Sequence, residues 1–295
     1  MAMQRHDRRI SLFNILNIAF LGMLALISIL PFYHVLINSV MPYQETLKGS
    51  LHLIPTAFDW SSYRYIIADQ RFLGALKVSF LVTVIGLLLN MILSVVGAYA
   101  LSKKQLPGQK IFLGLILFTL YFNGGLIPYY MVIKSVGLVD NLWVMIIPPA
   151  INTMYLLIMK NYFATLPESL EESAKIDGAN DLQILWKIIV PISAPFMATF
   201  ALFYAVERWN EWWNAYMFIS APDKAPLQIL LRQMLVVFSM DLGSIGAALH
   251  DAHSQVYVTG LQMTAIVVSS IPIVLVYPFL QKHFVKGIAL GSIKE

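Results

Sequence analysis

The chain contains no cysteine. Disulfides and thiolate metal sites are therefore excluded, and any order in its loops must come from packing and hydrogen bonding. Charge is also scarce: Asp, Glu, Lys and Arg make up 12% of the 295 residues, about half the roughly 25% of an ordinary globular domain. No GxxxxGK[ST] phosphate loop and no HExxH pair occur, so the chain has neither a P-loop cradle for ATP nor a zincin site. The few acids within apolar stretches are not paired at a spacing that suits glycosidase chemistry. The reading is of a protein that is not an enzyme and holds no metal or cofactor of its own.

What the chain has instead is apolar length. Hydrophobic residues make up 58%, which points to lipid as the solvent. Runs of about 18 residues or more span a hydrocarbon core of roughly 30 Å. Six such runs predict six transmembrane helices, at about Ile10 to Asn38, Leu73 to Leu101, Ile111 to Met131, Leu142 to Met159, Pro191 to Phe218 and Val256 to Leu280. The first run is too long for a signal peptide and lacks a small-residue cleavage site, so it reads as a retained span. The expected organisation is an N-terminal tail, first span and outer loop over 1–72, a core transmembrane domain over 73–281 and a C-terminal tail over 282–295.

Lys and Arg near span ends stay on the cytoplasmic side. With six spans, both termini share a side with Arg5, Arg8, Arg9, Lys103, Lys104, Lys110, Lys160, Lys175, Lys187, Lys282, Lys286 and Lys294, twelve of the 20 basic residues. Both termini are expected in the cytoplasm. The pI near 9 follows from this bias, and no basic stripe interleaved with aromatics points to nucleic acid.

One stretch on that side differs from its surroundings. "LEESAKIDGANDLQILWKIIVPISAP", Leu170 to Pro195, carries Glu171, Glu172, Asp177, Asp181, Gly178 and two prolines. Pro167 and the acids after it suit a helix N-terminus, where negative charge meets the positive end of the dipole. Leu182, Leu185, Ile188 and Ile189 recur at helical spacing. The pattern predicts a short amphipathic helix, a bend at Gly178 and a second helix along the membrane surface.

These residues carry a resemblance. Glu172-Ser173-Ala174, three residues, Gly178, nine residues and Ile188-Ile189-Val190-Pro191 resemble the EAA loop of ATP-binding-cassette importer permeases, with Ser173 for Ala and Val190 for Leu. "IDGA", Ile176 to Ala179, is similar to the carbohydrate, maltose-transporter-like branch. So are "YALSKKQLPGQK", "YFNGGLIPYYMVIKSVGLVDNLWVMIIP", "ERWNEWWNA" and "HFVKGIALGSIKE", which extend the likeness over most of the chain. "GGLIPYY" and "WNEWW" look most like the subgroup handling complex oligosaccharides, with an acidic cargo such as alginate.

The resemblance implies an all-α, polytopic type I importer (MetI-like) fold with a cytoplasmic coupling loop over 161–191. It implies a second homologous permease subunit, two ATPase subunits that hydrolyse ATP with Mg, and an extracytoplasmic solute-binding protein. Glu171, Glu172, Ser173, Ala174, Asp177, Gly178, Ala179, Ile188 and Pro191 would form the ATPase-coupling element. Within it Glu172 would face the ATPase cleft and Ala174 would allow close approach. Gly178 would bend where a side chain would clash, and Pro191 would begin the next span and pass the motion on as a rigid body.

A second stretch, "AVERWNEWWNAYMF", Ala205 to Phe218, places ionisable groups in or near hydrocarbon, where they are costly unless they face a partner or a water-filled cavity. Glu207, Arg208, Trp209, Asn210, Trp213 and Tyr216 are the candidate substrate pathway, offering stacking faces and hydrogen bonds to sugar rings. Two plainer readings stand beside it. Trp and Tyr anchor spans at membrane interfaces, and Arg208 with Glu211 at i, i+3 would form a structural ion pair. If the sugar is acidic, Arg208 with His250 and His253 would favour a carboxylate, and the plainer reading of the two His is as solvated side chains. An ion-coupled secondary carrier using Glu207 and Glu211 is the competing class. "NGG", Asn123 to Gly125, reads as a break in the third span or as close packing, and the segment Thr56 to Ile67 as a contact for a binding protein.

Overall fold

A computed structural model of the chain describes residues 12–42, 45, 54–55, 57–244 and 260–276. Arg5, Arg8, Arg9, Thr56, His250, His253, Lys282, Lys286 and Lys294 lie outside the described residues. Every regular element among the described residues is helical. The chain forms two compact units, Met1–Ala68 with Met234–Ser269, and Asp69–Gln233 with Ser270–Glu295.

In the first unit, α1 covers Leu12–Val40, 29 residues, or about 43 Å at a rise of 1.5 Å per residue. Its buried residues are confined to Ile37, Ser39 and Val40 at one end, and apart from half-buried Val35 the rest of its apolar side chains are exposed. Such a helix is stable where lipid covers it. The short α2, Ser61–Ala68, is tied to α1 by Tyr63 and Ser39, whose hydroxyls lie 2.7 Å apart. Thr264 Oγ1, on the helix Gly260–Val276, donates to the Ser39 carbonyl at 3.2 Å.

The second unit is built around α3, Gln70–Ser102, N-capped by Asp69, whose carboxylate accepts from Arg71 N–H. Its buried positions include Ala75, Ser79, Val82, Gly86, Asn90, Ser94 and Ala98, three or four residues apart. This is one face, and it is distinguished by small size rather than by hydrophobicity. In lipid, helices gain little by hiding apolar surface and associate through close contact, which small residues permit. Phe80 and Leu88, on other faces, are exposed. Across the small face α3 packs on α6, Thr153–Phe163, and α9, Ala194–Trp209.

The third, fourth and fifth predicted spans depart from straight helices. The third is two helices, α4 over Gln109–Tyr121 and α5 over Leu126–Ser135, bent by 118°. The break is the NGG: Gly125 has φ +83° and Asn123 Oδ1 accepts Gly125 N–H at 2.8 Å. No atom lies within 4 Å of a Cβ added at Gly125, so backbone conformation and not packing calls for glycine there. The fourth, expected as a helix over Leu142 to Met159, is a 3-10 turn at Leu142–Met145, an irregular stretch, and then α6. Pro148 and Pro149 supply no N–H and push the preceding residues out of helical conformation. Asn152 then caps α6 by accepting from Met154 N–H at 3.0 Å and Tyr155 N–H at 3.3 Å.

The fifth span begins later than expected. Pro191 lies inside α8, Asp181–Ile192, and the chain turns by 89° before α9 continues toward Phe218. Ser193 sits at the turn between Pro191 and Pro195, with φ −88° and ψ 8°. α8 and α9 are therefore not one rigid rod, which corrects the role expected of Pro191. Beyond α9 lie α10, Trp213–Phe218, and α11, Leu227–Ser244. Among the described residues two helices, α1 and α3, suffice alone by length and composition to cross a membrane, and each bent pair adds one when counted as a span.

Candidate functional site

The polar loop is a helix, a bend at Gly178 and a second helix, in the order predicted. Its first helix, α7, covers Ser169–Ile176 and ends in a Schellman motif. Gly178 N–H donates to the Lys175 carbonyl at 3.0 Å and Ala179 N–H to the Ala174 carbonyl at 2.9 Å, with Gly178 at φ +83°. Two residues on, a capping box opens α8: Asn180 Oδ1 accepts from Gln183 N–H at 2.9 Å, and Gln183 Oε1 accepts from Asn180 N–H at 3.0 Å. The bend thus closes its own backbone hydrogen bonds without help from another chain. No atom of this chain comes within 4 Å of a Cβ placed on Gly178. Within the chain the requirement for glycine is its left-handed backbone, not the clash expected from the sequence.

The loop has an inner and an outer face. Ala174, Ile184, Leu185 and Ile189 are buried in one cluster with Ala98 and Tyr99 of α3 and Met159 and Phe163 of α6. The small side chain of Ala174 therefore serves close approach of the loop to its own bundle. Glu171 also turns inward, forming an ion pair with Lys103 just past the end of α3. Lys103 Nζ lies 4.2 Å from the Tyr99 ring centroid. On the outer face Glu172, Ser173, Asp177 and Gly178 are exposed, with Ala179 and Ile188 half-buried and Pro191 exposed. Large apolar side chains are exposed beside them: Ile176 at 87%, Leu182 at 61% and Trp186 at 45%. Leu185 to Ile189 form a π-helical turn, a wide turn found mostly as single insertions in helices and often at functional sites.

The second candidate stretch separates into a buried clamp and an exposed strip. Arg208 and Glu211 are both buried, with Arg208 Nη1 3.5 Å from Glu211 Oε2 and donating to the Met145 carbonyl at 2.9 Å. Glu211 Oε1 accepts from Asn214 N–H at 2.9 Å, and Asn214 Oδ1 accepts from Tyr129 OH at 2.7 Å. A Cβ added to Gly86 of α3 would sit 2.8 Å from Arg208 Cδ, so this glycine makes room for the arginine stem. Of the two readings open for Arg208, the geometry gives the structural ion pair, joining α9 to the 3-10 turn. Trp209 is buried too, at 5% exposure.

Glu207 accepts from Tyr155 OH at 2.7 Å and from Asn152 Nδ2 at 3.2 Å, beside a Tyr204 hydroxyl 2.6 Å from Ser94 Oγ. Both acids that an ion-coupled carrier would use are thus held in fixed hydrogen bonds. Asn210, Trp213 and Tyr216 are the exposed members of the predicted pathway. Sequence reasoning missed Arg232, whose guanidinium carbon lies 4.3 Å from the Tyr216 ring centroid and 5.0 Å from that of Trp212. On its own segment it reads as an ordinary helix-surface arginine.

Asp140 was also missed. It joins the loop after α5 to the loop after α10, accepting from Ser220 N–H at 3.1 Å, Ala221 N–H at 3.0 Å and Lys224 Nζ at 3.0 Å. Its positive φ of 53° is one that Asp tolerates better than most residues. The backbone N–H of Ala221, then the Lys224 ammonium and the Ser220 N–H, hold its carboxyl below the ordinary Asp value of 3.8. A carboxyl with a lower pKa folded than unfolded stabilises the fold above the unfolded value and loses that effect as pH falls through the folded one. Protease resistance of these loops is therefore expected to fall below pH ~4, and Asp140→Asn to be cleaved readily at neutral pH without that acid step. In the other unit, Phe58, Asp59, Trp60, Ser61, Arg64 and Tyr65 line a concavity of about 570 Å³.

Residues 10–290 match the family described as the binding-protein-dependent transport system inner membrane component. The chain belongs to this family, the membrane subunits of ATP-binding-cassette importers, and sits in the inner membrane class. It is 45% identical over 286 residues, 96% of this chain and 98% of the relative, to the polygalacturonan/rhamnogalacturonan transport system permease protein YtcP of Bacillus subtilis strain 168. It is 40% identical over 282 residues to the protein LplC of the same organism, covering 96% of this chain and 95% of that one. Among solved structures it is similar to a chain in the crystal structure of a bacterial ABC transporter involved in the import of the acidic polysaccharide alginate. That likeness has a TM-score of 0.83 and 36% identity, and covers 96% of this chain and 99% of the other.

Proposed function

We propose that this chain is one of two membrane subunits of an ATP-driven importer for a carboxylated oligosaccharide, delivered by an extracytoplasmic binding protein. The observation that carries the substrate class is a coincidence of two likenesses. A relative is named for polygalacturonan and rhamnogalacturonan, and a similar solved structure for acidic alginate. Pectic and alginate chains share one chemistry, a pyranose ring bearing a carboxylate. Alginate itself is one member of the class, and pectic oligomers are the other.

In this reading α7 and α8 form the coupling element. Their inner face is fixed to α3 and α6 by Ala174 and by the Glu171–Lys103 pair, so a push on the outer face is delivered to the bundle. Glu172, Ile176 and Leu182 meet an ATPase subunit, which binds and hydrolyses ATP with Mg. Both termini and this loop lie in the cytoplasm. Asn210, Trp213 and Tyr216 face the sugar path, and the concavity at Phe58 to Tyr65 meets the binding protein.

The test is ATP-dependent uptake by the reconstituted complex of this chain, its partner permease, the ATPase and the binding protein. Oligogalacturonate or oligoalginate should enter, and maltotetraose should not. Uptake of the neutral sugar alone would overturn the substrate class, and uptake independent of ATP would overturn the mechanism.

A further inference from the structure

We infer that Arg232, seated on Trp212 and Tyr216, is a carboxylate-recognition site for the transported sugar. The inference rests on the acidic-substrate reading above and adds to it the residue that selects for charge.

The site is assembled from two helices. Trp212 and Tyr216 are one turn apart at the start of α10, with ring centroids 6.4 Å apart, and Arg232 lies on α11. Trp212 is 40% exposed and Tyr216 55%, so part of each ring remains open beside the cation. The guanidinium carbon lies 5.0 Å and 4.3 Å from the two centroids. These are distances at which an aromatic face attracts a cation. Among the described residues, no carboxylate lies within ion-pair distance of Arg232, whereas Arg208, buried four residues before Trp212, is paired with Glu211.

This difference matters in an apolar chain. A guanidinium in or near hydrocarbon is costly unless it faces a partner or water. Contact with rings leaves its in-plane N–H fork available, and that fork matches a carboxylate in a bidentate manner. The open parts of Trp212 and Tyr216 offer surfaces for the C–H face of a sugar ring. One turn before Arg232, Gln228 Nε2 lies 3.3 Å from Oδ1 of Asn210, two residues before Trp212, so the same two segments also bring two amides together. A uronate presents these features together: a carboxylate, an apolar ring face and flanking hydroxyls.

The competing explanation is a structural tie, with Arg232 doing no more than holding α11 to α10. Substrate charge separates the two. In the reconstituted complex, ATPase stimulation by the loaded binding protein and uptake are measured with tetragalacturonate and with its fully methyl-esterified, neutral counterpart. The wild-type complex should prefer the acid. Arg232→Gln should raise the apparent KM for the acid by about 10- to 100-fold, the value of a charge-assisted hydrogen bond. It should leave the ester and the saturated rate unchanged. Arg232→Lys, which keeps the charge without the fork, should fall between the two and serves if the glutamine variant does not assemble.

An unchanged acid-to-ester ratio in Arg232→Gln, or in Arg232→Lys if only that variant assembles, overturns the site. So does an equal loss for both sugars, which is the signature of a structural tie. If the wild-type complex prefers the ester, the acidic-substrate reading fails and the Arg232 site with it. A wild type that prefers the acid alongside an indifferent variant removes the Arg232 site alone.

Discussion

Arg208→Met is expected to be the most damaging single substitution outside the loop, costing about 3–5 kcal/mol, the usual range when one partner of a buried ion pair is removed. Arg208 and Glu211 are both almost wholly enclosed. Removing the guanidinium leaves the Glu211 carboxylate buried with only Asn214 as a donor and frees the Met145 carbonyl that Arg208 satisfies. The connection between α9 and the 3-10 turn at Leu142–Met145 depends on these bonds. The measurement is the thermal unfolding midpoint of the detergent-solubilised chain, which should fall sharply in Arg208→Met and recover substantially in Arg208→Met with Glu211→Gln. The recovery matters because the cost lies in the orphaned charge and not in the lost attraction. An unchanged midpoint in the single variant would show that the clamp does not hold these elements together.

Gly178→Val should abolish coupling while leaving insertion intact. Left-handed backbone costs an L-residue about 1–2 kcal/mol, and a β-branched side chain is the least suited to it. The Schellman bonds from Gly178 and Ala179 require that conformation, and the capping box at Asn180 follows immediately. Losing the bend therefore changes the angle between α7 and α8 and moves Ile176 and Leu182 relative to each other. Gly178→Asn is the informative control, because Asn visits the left-handed region more readily. ATPase stimulation by substrate should be lost in the valine variant and largely kept in the asparagine variant. Equal activity in both would mean that the bend has no role in coupling.

Much of this was legible in the sequence where one local signal decides the outcome. Apolar length located α1 and α3 to within a few residues, and the acids, Gly178 and the apolar spacing gave the helix, bend and helix of the loop. What was not legible depends on distant partners. Pro191 looked like the start of a span, but Ser193, set between two prolines, is where the chain turns. The fourth apolar run looked like one helix, but Pro148 and Pro149 lie inside it and the chain between the 3-10 turn and the Asn152 cap is irregular. Arg208 offered two readings until Gly86 and Met145, remote in sequence, were found against it. Asp140 and Arg232 gave no signal because their partners lie on other segments. The small-residue face of α3 was present in the sequence, but periodicity of hydrophobicity does not report it, since large and small residues there are similarly apolar.

The central claim is that α7 and α8 present their outer face to an ATPase subunit. Site-specific photocrosslinking from Ile176, the most exposed large apolar side chain of the loop at 87%, tests it most directly in the intact, transport-competent complex. A crosslink from Ile176 to the ATPase subunit, with none from Phe32 on the exposed surface of α1, is the expected result. Crosslinks from Ile176 to lipid alone, in a complex that still transports, would contradict the account.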